Sequence, residues 1–451
     1  MRGRWVALAL CASFSVPVRA VAGDAGTERP SVVVVTVDAL RADHLSSYGY
    51  RRPTTPAIDA LLARGARFAV ARTPEPLTAP SMASMLTSLE PDVHGASRNA
   101  LPIRPGLPSL GTILRERGYR TAAFVTNWTL RSDLTGLEEH FDEYIEVLMH
   151  KRWWGLVGEE AGADELVTEV GNWMERRGER RLQALPWFLW IHFVDPHAPY
   201  DLQRKFAPRL GVRPGGAGKV DRYDTEIAHT DEAIGRLLDR LLAPEALGPG
   251  ALVVFAADHG ESLGEHDYWG HGRHLYEPTV RIPLGIVWPR RIAPQVLASP
   301  ASLLDVTPTV LGLLGGDATP ATSRMVGFDW SAVLADGAAP PAQRRFFLQA
   351  HKGAVQTRGN VPAKREAGLL EVGLVEAGTK RVWRIRDRKL LRFDLTVDPE
   401  ELRNLAAAKP PPPADLVEHA AEVAARLGSL APPGGSIDEQ TIARLKALGY
   451  L

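Results

Sequence analysis

The chain is poor in cysteine: its 451 residues contain one, Cys11. Cys11 lies in an apolar stretch, residues 5–16, that follows two arginines and precedes the small residues Ala20-Val21-Ala22. This arrangement is typical of a secretory signal peptide, which we predict to span residues 1–22. The mature chain would then contain no cysteine. Because no disulfide could form, its stability would depend on its core and on any metal that it binds.

Neither sign of charge is in excess, since Lys and Arg together number 53 and Asp and Glu together also number 53. Proteins that bind nucleic acids usually carry a positive surface, so this balance argues against a nucleic-acid partner. The apolar stretch of the signal peptide is too short to span a membrane comfortably, and no later segment is long enough. We therefore predict export to the periplasm or the medium, without a transmembrane span in the mature chain.

The sequence also lacks internal repeats, heptads and a glycine-rich nucleotide loop, but it contains alternating strand and helix patterns. Continuous apolar, β-branched runs predict strands that are buried on both faces of a parallel sheet. These runs are residues 31–37, 120–126, 186–193 and 251–257, with a further strand at 281–288. Helices are predicted at residues 55–64, 108–118, 160–177, 223–242 and 301–314. This alternation indicates an α/β fold.

The last quarter of the chain follows a different pattern. Residues 335–343 are rich in alanine and proline and read as a linker, and short alternating segments within 344–395 predict a small antiparallel sheet. Helices are predicted at 415–427 and 438–448. We therefore divide the chain into a signal peptide (1–22), a catalytic domain (30–335) and a C-terminal subdomain (343–451).

Residues 75–87 combine a helix start with a hydroxyl group. Pro80 favours the first turn of a helix, so Thr78 is predicted to lie at the N-terminus of the helix that follows. The free N–H groups and the dipole at such an end favour a bound phosphate or sulfate. Thr78 is therefore a candidate nucleophile if a neighbouring group lowers its pKa. Taken alone, it is also consistent with a residue that only begins the helix.

Acidic residues and histidines follow three of the predicted strands. Asp38 follows the first strand, Asp195-Pro196-His197 the third, and Asp258-His259 the fourth. The carboxyl ends of parallel strands lie at one edge of a sheet, where ligands of α/β proteins bind, so these residues are candidates for metal binding or proton transfer. Asp38 could instead cap a turn. Residues 258–274 hold four histidines and four acidic residues, which is unusual for a polar surface loop.

Carboxylates, imidazoles and a hydroxyl group are suitable ligands for Ca²⁺, Mn²⁺, Zn²⁺ or Mg²⁺. A divalent metal bound to the Thr78 oxygen would lower its pKa and would screen repulsion from an anionic substrate. The sequence thus predicts metal-assisted chemistry at a phosphoryl or sulfuryl group.

Seven stretches together resemble the sulfatase family of the alkaline phosphatase superfamily. They are VVVVTVDALRADHLSSYGY, LTAPSMASMLTSLEPDVHG, HFVDPHAPY, VVFAADHGESLGEHDYWGHG, RIPLGIVWP, SLLDVTPTVLGLLG and RFDLTVDPEELRNLA. The resemblance covers residues 30 to about 410. It implies a doubly wound, mostly parallel sheet flanked by helices, with a small C-terminal antiparallel sheet and a helical tail.

The resemblance also implies a role for several residues of the metal centre. Asp38, Asp258 and His259 match metal ligands of the family, and Thr78 stands at the position of the nucleophile, which also contacts the metal. The expected cofactor is therefore a divalent metal, held by these four residues.

Other residues match positions that contact the substrate in relatives. His197 and His271 correspond to residues that bind substrate or assist the leaving group, and Asn99 corresponds to a substrate-contacting asparagine. His274 is a further candidate for substrate binding. Asp195 and His197, with either His271 or His274, could instead hold a second metal.

The chain departs from the sulfatase pattern at the residues that make and orient the formylglycine. Sulfatases oxidise the first residue of a Cys (or Ser)-x-Pro-Ser-Arg motif, but this chain has Thr78, which would give a ketone, and Met82 in place of the arginine. The second residue of the usual Asp-Asp pair is Ala39, and Asn127-Trp128-Thr129 replaces the Lys-x-His element. We therefore expect no formylglycine.

A threonine nucleophile is instead similar to that of the nucleotide pyrophosphatases and of the phosphoethanolamine and phosphoglycerol transferases in the same superfamily. We expect Thr78 to attack a phosphodiester, phosphonate or phosphomonoester and to form a phospho-threonine, while His197 or His271 protonates the leaving oxygen. The substrate would be a small-molecule, glycan-derived or lipid-derived anionic ester.

Three alternatives remain open from the sequence. The first is a sulfatase that works without formylglycine. The second is a transferase of phosphoryl head groups, although the transferases of this superfamily usually carry several membrane spans. The third is an inactive homologue that serves as a binding protein.

Overall fold

The computed structural model describes residues 29–148, 160–316, 322–351, 368–407 and 411–428. The predicted signal peptide and the predicted helix at 438–448 lie outside these ranges. None of the helices within them combines the length and the apolar character that a bilayer crossing requires.

Strands and helices alternate along the first three quarters of the described residues, and four consecutive strands follow. The strands are β1 (Val32–Val37), β2 (Ala66–Phe68), β3 (Ala71–Arg72), β4 (Arg120–Val125), β5 (Glu143–Glu146), β6 (Trp187–Phe193), β7 (Leu252–Ala257), β8 (Ser262–Leu263), β9 (Trp269–Gly270), β10 (Arg281–Ile282), β11 (Leu284–Val287), β12 (Gln295–Leu297), β13 (Ala301–Ser302), β14 (Arg345–Ala350), β15 (Glu371–Glu376), β16 (Thr379–Arg384) and β17 (Lys389–Asp394). The α-helices are α1 (Pro56–Leu62), α2 (Thr78–Thr87), α3 (Pro91–His94), α4 (Leu110–Glu116), α5 (Ser132–Thr135), α6 (Ala163–Arg177), α7 (Glu179–Ala184), α8 (Lys219–Leu241), α9 (Glu277–Val280), α10 (Val306–Leu313), α11 (Ser331–Asp336) and α12 (Ala414–Gly428).

An eight-stranded sheet with the order β12-β2-β11-β7-β1-β6-β4-β5 forms the centre of the molecule. Its pairs are parallel except for the two that β11 makes with β7 and β2. Every side chain of β1, β6 and β7 is buried. Because successive side chains of a strand point to opposite faces, both faces of the sheet are covered. The predicted mostly parallel α/β sheet is confirmed.

The long helix α8 covers part of this sheet and packs against α1 and α6. Its buried apolar residues include Tyr223, Ile227, Ile234 and Leu241, whose spacings of four and seven place them on one helical face. The helix begins at Lys219, four residues before the predicted start. The reason is a local cap: the N–H of Gly218 donates to Asp221 Oδ2 at 3.1 Å, which starts the helix within the glycine-rich segment.

Two predicted elements are divided in the structure. The predicted strand 281–288 is split at Pro283 into β10, which pairs with β3, and β11, which pairs with β7. Proline has no N–H to donate to a ladder, so the strand changes partner there. The predicted helix 301–314 begins only at Val306, because residues 301–302 form β13 and Ser302 caps a short 3₁₀ turn.

The segment between β4 and α6 also contains regular structure. Residues 143–146 form β5, a parallel edge strand beside β4. Its four side chains are only partly buried, as expected for an edge, and this is why they lack the apolar run that marks the central strands.

Strands β14 to β17 form the predicted C-terminal antiparallel sheet, in sequence order. One of its apolar clusters includes Leu275 and Val280 of the preceding chain, and another includes Leu416 of α12, the first helix of the predicted tail. The small sheet is therefore confirmed. The domain boundaries at 30–335 and 343–451 stay predictions.

Candidate active site

Four of the predicted site residues meet at the carboxyl ends of β1 and β7. These strands pair in parallel with Val37 opposite Ala257, so the residues that follow them, Asp38 and Asp258, lie side by side. His259 comes next along the chain, and its Nε2 atom lies 3.6 Å from Asp38 Oδ1 and 3.4 Å from Asp258 Oδ2. Thr78, the first residue of α2, places its Oγ1 atom 3.3 Å from the same nitrogen.

The His259 ring is held in one tautomer. Its Nδ1 lies 2.8 Å from the carbonyl oxygen of Gly260 and must donate a proton to it, which leaves the lone pair on Nε2. Burial, with the neighbouring His271, holds the pKa of His259 far below its usual value, so the ring is neutral. The Nε2 atom therefore faces Thr78 and the two carboxylates as an acceptor or ligand.

In each aspartate, one carboxylate oxygen accepts hydrogen bonds and the other faces His259. Asp258 Oδ1 accepts from the N–H groups of Ala39 (3.0 Å) and His259 (2.6 Å), and Asp38 Oδ2 accepts from Asn127 Nδ2. Asp38 Oδ1 and Asp258 Oδ2 have no hydrogen-bond donor within the described chain. Burial raises the pKa of both carboxyl groups, and the charge of Asp258 adds to the rise at Asp38.

His192 of β6 joins this group, although the sequence analysis did not single it out. One atom from each of Asp38, His192 and Asp258 lies within 4.8 Å of the others. The Nδ1 of His192 lies 2.8 Å from Thr36 Oγ1, while its Nε2 is buried and has no partner among the described residues. The available signal was a histidine inside the apolar run 186–193.

This donor set fits a divalent cation. Buried oxygens of Asp38 and Asp258 and the Nε2 of His192 lack hydrogen-bond partners in the described chain, which is costly unless something positive lies between them. Carboxylate and imidazole ligands suit Mn²⁺, Zn²⁺, Mg²⁺ or Ca²⁺. Asp38, Asp258 and His259, with the Thr78 hydroxyl beside them, are the residues that could hold the ion, and His192 is a further candidate.

The start of α2 carries a second polar group next to Thr78. The N–H of Ala79 donates to Asn99 Oδ1 at 3.0 Å, which fixes the Asn99 amide. Its Nδ2 is buried without an acceptor among the described residues. The helix is fully buried, so the positive end of its dipole and this amide favour a bound anion.

His197 and His271 lie beside the same centre. The ring centroid of His271 is 4.2 Å from that of His259 and 5.2 Å from that of His197. Burial lowers the pKa of His197 to about 3, with a contribution from His271, and the pKa of His271 to about 4. The Nδ1 of His271 faces Glu261 Oε1 at 3.3 Å, and its Nε2 is buried without a partner in the described part of the chain.

Two predicted site residues have other partners. Asp195 Oδ2 accepts from the N–H of Ala163 at 2.8 Å, so this carboxylate caps the start of α6. A second metal at Asp195 and His197, with His271 or His274, stays a prediction.

His274 lies against the C-terminal sheet. Its Nδ1 is 2.7 Å from Glu371 Oε1, and the side chain is about one-fifth exposed. Its role in substrate binding stays a prediction.

Three residues differ from the sulfatase pattern around the formylglycine position, and each of them fits its surroundings. Met82 is fully buried in the core, and Ala39 takes a positive φ of 53° so that its N–H reaches Asp258. Asn127 Oδ1 accepts from the N–H of Thr129 (2.7 Å) and from its hydroxyl (2.6 Å), which turns its NH₂ group toward Asp38.

Comparison with families of known proteins identifies one match, the family described as Sulfatase, over residues 30–316. Among curated relatives, choline-sulfatase of Rhizobium meliloti (strain 1021) is 28% identical over 354 residues, covering 64% of this chain and 68% of the relative. Arylsulfatase A of Homo sapiens is 28% identical over 384 residues, covering 74% of this chain and 73% of the relative.

Solved structures share the fold. The structure of BT4656 in complex with its substrate D-glucosamine-2-N,6-O-disulfate has a TM-score of 0.67 at 19% identity, covering 91% of this chain and all (100%) of that one. Phosphonate monoester hydrolase SpPMH from Silicibacter pomeroyi has a TM-score of 0.64 at 19% identity, covering 91% of this chain and 98% of that one.

Proposed function

The chain belongs to the sulfatase family, whose members hydrolyse anionic esters, and from this premise we propose that it is a metal-dependent phosphoester or phosphonate hydrolase with Thr78 as its nucleophile. The observation that carries the proposal is the meeting of Thr78 Oγ1, Asp38 Oδ1 and Asp258 Oδ2 around His259 Nε2, at 3.3 to 3.6 Å. A hydroxyl that shares this centre with two carboxylates and an imidazole is placed for activation rather than for capping a helix.

A phosphoester is favoured over a sulfate ester because of the residue at position 78. Formylglycine forms by oxidation of a primary hydroxyl or thiol, and threonine offers a secondary hydroxyl. An unmodified Thr78 oxygen can attack phosphorus directly. The similarity in fold to a phosphonate monoester hydrolase is compatible with this chemistry.

The first step is attack by Thr78. When bound, a divalent cation supplies the positive charge that lowers the pKa of the Thr78 hydroxyl and offsets the charge of the ester. The hydroxyl proton passes to water, Thr78 Oγ1 forms a bond to phosphorus, and the bond from phosphorus to the leaving oxygen breaks. The Nδ2 group of Asn99 and the positive end of the α2 dipole would stabilise the negative charge that develops on the phosphoryl oxygens.

The leaving oxygen needs a proton, and His271 is the better-placed donor. Glu261 lies against its Nδ1 and orients the ring, so that Nε2 points into the site. An anionic ester beside the ring would raise its low pKa and favour the protonated form. His197 is the alternative donor. In the second step water attacks the phospho-threonine, the Thr78–phosphorus bond breaks, and the same histidine takes a proton from the water.

The test is a comparison of four esters with purified protein in Mn²⁺, Zn²⁺ or Ca²⁺: p-nitrophenyl phosphate, bis-p-nitrophenyl phosphate, a p-nitrophenyl phenylphosphonate and p-nitrophenyl sulfate. We expect turnover of at least one phosphorus ester, its loss in Thr78→Ala and partial retention in Thr78→Ser. Acid quenching should also trap one phosphoryl group on the peptide that contains Thr78. Turnover that survives in Thr78→Ala would contradict the threonine mechanism.

A sulfatase that works without formylglycine is the second candidate, because both named relatives are sulfatases. Hydrolysis of p-nitrophenyl sulfate alone, with loss in Thr78→Ala, would select it. Absence of turnover with all four esters and of bound metal would favour the inactive binding homologue, whereas phosphoryl transfer to an added alcohol in preference to water would indicate a transferase.

A further inference from the structure

A cavity lies where the β3–β10 strand pair meets the end of the C-terminal sheet that carries the turn between β15 and β16. We call it the junction pocket. Its volume is about 460 Å³, within the range of roughly 300–1,000 Å³ that small-molecule sites occupy. Its apolar lining residues include Val70, Pro300, Phe346, Val375, Leu395 and Pro399. None of the described residues of the Thr78 centre lines it, so it is a separate feature of the molecule.

Five charged residues line the junction pocket, and four of them have a counter-charge. The pairs are Arg72 with Glu277 (Nε to Oε1, 2.9 Å), Arg344 with Asp305 (Nη2 to Oδ1, 2.8 Å) and Glu376 with Arg345 (Oε1 to Nε, 3.4 Å). Each of these pairs balances its own charge, so none of the four is a strong site for a free ion. The fifth charged residue is Arg281.

Arg281 makes no ion pair within the described chain. Its only hydrogen bond there is the one that Nη2 donates to the carbonyl oxygen of Ala69, at 3.2 Å, and its Nε is buried with no acceptor among the described residues. The charge of Arg281 acts on Asp43, but that carboxylate is bonded to Arg41 at 2.7 Å. A partly buried guanidinium group without an anion is costly, and an anionic ligand would offset the cost.

The strand pairing adds to this cost, because Arg281 lies directly opposite another arginine. Strand β10 runs antiparallel to β3, with Arg281 facing Arg72. Like charges at such positions destabilise a strand pair. The carboxylate beside them, that of Glu277, binds Arg72 and also accepts from the buried Lys380 at 3.1 Å, which in turn lies 2.9 Å from Glu401. Glu277 thus serves two other cations and leaves Arg281 without a counter-ion.

We propose that the junction pocket binds a free amphipathic anion. Its carboxylate, sulfate or phosphate head group would contact Arg281, and its hydrocarbon chain would lie among the apolar lining residues. A guanidinium group binds each of these head groups by charge-assisted hydrogen bonds. A chain of eight carbons with a carboxylate has about ten non-hydrogen atoms, and at roughly 30 Å³ for each water-sized group it fits the volume of the pocket.

The occupant is a single molecule rather than a membrane surface, because the site is a cavity with apolar walls and a bilayer presents a flat, charged face. The site is also distinct from the Thr78 centre. The proposal therefore goes beyond the proposed hydrolysis and does not depend on it.

The test is a calorimetric titration of the full chain, with bound Mn²⁺, by four probes: octanoate, butyrate, 1-octanol and octylammonium. Each CH₂ group that is fully buried raises affinity by about fourfold, so we expect octanoate to bind at least about tenfold more tightly than butyrate. It should also bind at least about tenfold more tightly than 1-octanol, which lacks the charge, and than octylammonium, which has the opposite charge.

The variants locate this binding. Arg281→Gln should reduce the affinity for octanoate to that for 1-octanol, whereas Arg281→Lys keeps the charge and should retain part of the preference. Leu395→Ser shortens the apolar wall and should reduce the ratio of octanoate to butyrate affinity. Arg67→Gln is the matched control, because Arg67 is also partly buried but lies outside the lining, and it should keep the parental affinity. Circular dichroism verifies that each variant is folded.

Four outcomes would overturn the proposal. They are no binding of octanoate, equal affinities for octanoate and 1-octanol, a preference that survives in folded Arg281→Gln, and loss of octanoate binding in Thr78→Ala with Arg281 intact, which would move the anion to the Thr78 centre. Binding to vesicles that contain an anionic lipid, without binding of octanoate, would also overturn it. A chain that binds octanoate through Arg281 but hydrolyses no ester would contradict the proposed hydrolase and support the pocket assignment.

Discussion

The carbonyl oxygen of the Asn99 side chain accepts a hydrogen bond from the N–H of Ala79 at 3.0 Å. This bond ties a loop residue to the first turn of α2, one position after Thr78. It also orients the NH₂ group of Asn99 away from Ala79, with no acceptor among the described residues. A buried amide donor beside a candidate nucleophile is suited to an oxygen that becomes more negative during the reaction.

Replacing Asn99 should therefore lower the rate more than the stability. We expect Asn99→Ala to reduce kcat/KM for the best phosphorus ester by about 10²-fold, the usual effect of removing one preorganised donor. Asn99→Asp retains the acceptor for Ala79 but introduces a negative charge, and should be still slower. Steady-state kinetics with both variants checks this, and an Asn99→Asp enzyme as active as the parent would exclude the donor role.

Replacing Asp38 should stabilise the protein in the absence of a cation and reduce the stabilisation that a bound cation provides. Its carboxylate is buried next to Asp258; burial raises both pKa values, and the charge of Asp258 adds to the rise at Asp38, so a charged Asp38 is costly without a cation beside it. We expect Asp38→Asn to raise the Tm in EDTA by about 2 °C or more and to abolish most of the further rise produced by Mn²⁺. Calorimetry in both buffers measures this. An unchanged Mn²⁺ effect would remove Asp38 from the ligand set.

Replacing His192 distinguishes a role in cation binding from a purely structural role of this side chain. If its Nε2 contributes to cation binding, His192→Gln should weaken Mn²⁺ affinity by about 10- to 100-fold. His140→Gln is the matched control, because His140 is also buried and hydrogen-bonded, to Ser109, but lies outside the site. Equilibrium titration with Mn²⁺ gives both values. Equal Mn²⁺ affinities of the His192→Gln and His140→Gln proteins would show that His192 has only a structural role, as the hydrogen-bond partner of Thr36.

Glu90 should make stability fall as the pH rises. Burial, with the charge of Asp92, raises the pKa of Glu90 to about 7, above its ordinary value of 4.5. The folded protein favours the neutral acid. The contribution of Glu90 to the free energy of unfolding is therefore fully present below about pH 4.5 and is lost as the pH rises through 7.

The Glu90→Gln variant does not titrate, so its free energy of unfolding relative to the parent should rise from pH 5 to pH 8, by about 1–2 kcal/mol. Urea unfolding at intervals across this range measures the difference. Glu116→Gln, at the exposed end of α4, controls for the loss of one negative charge. A difference that stays constant with pH would contradict the raised pKa.

The sequence by itself was sufficient for the central strands and for the residues that follow them. A continuous apolar run marks a strand buried on both faces, and the polar residue that ends it must lie at the edge of the sheet. For this reason Asp38, Asp258 and His259 could be placed together before the structure was known. Thr78 could be placed at a helix start because Pro80 marks the first turn. These are local properties of short segments.

Other features were decided only by the tertiary structure, because they depend on which segments are neighbours. The order β7-β1-β6-β4 brings His192 and Asn127 to the aspartates, and short-range patterns carry no information about that order. The same is true of Asp195, whose carboxylate caps a helix that begins 32 positions earlier in the chain. A strand end indicates where a side chain can act, but its hydrogen-bond partners, and with them its charge and orientation, come from residues distant in sequence.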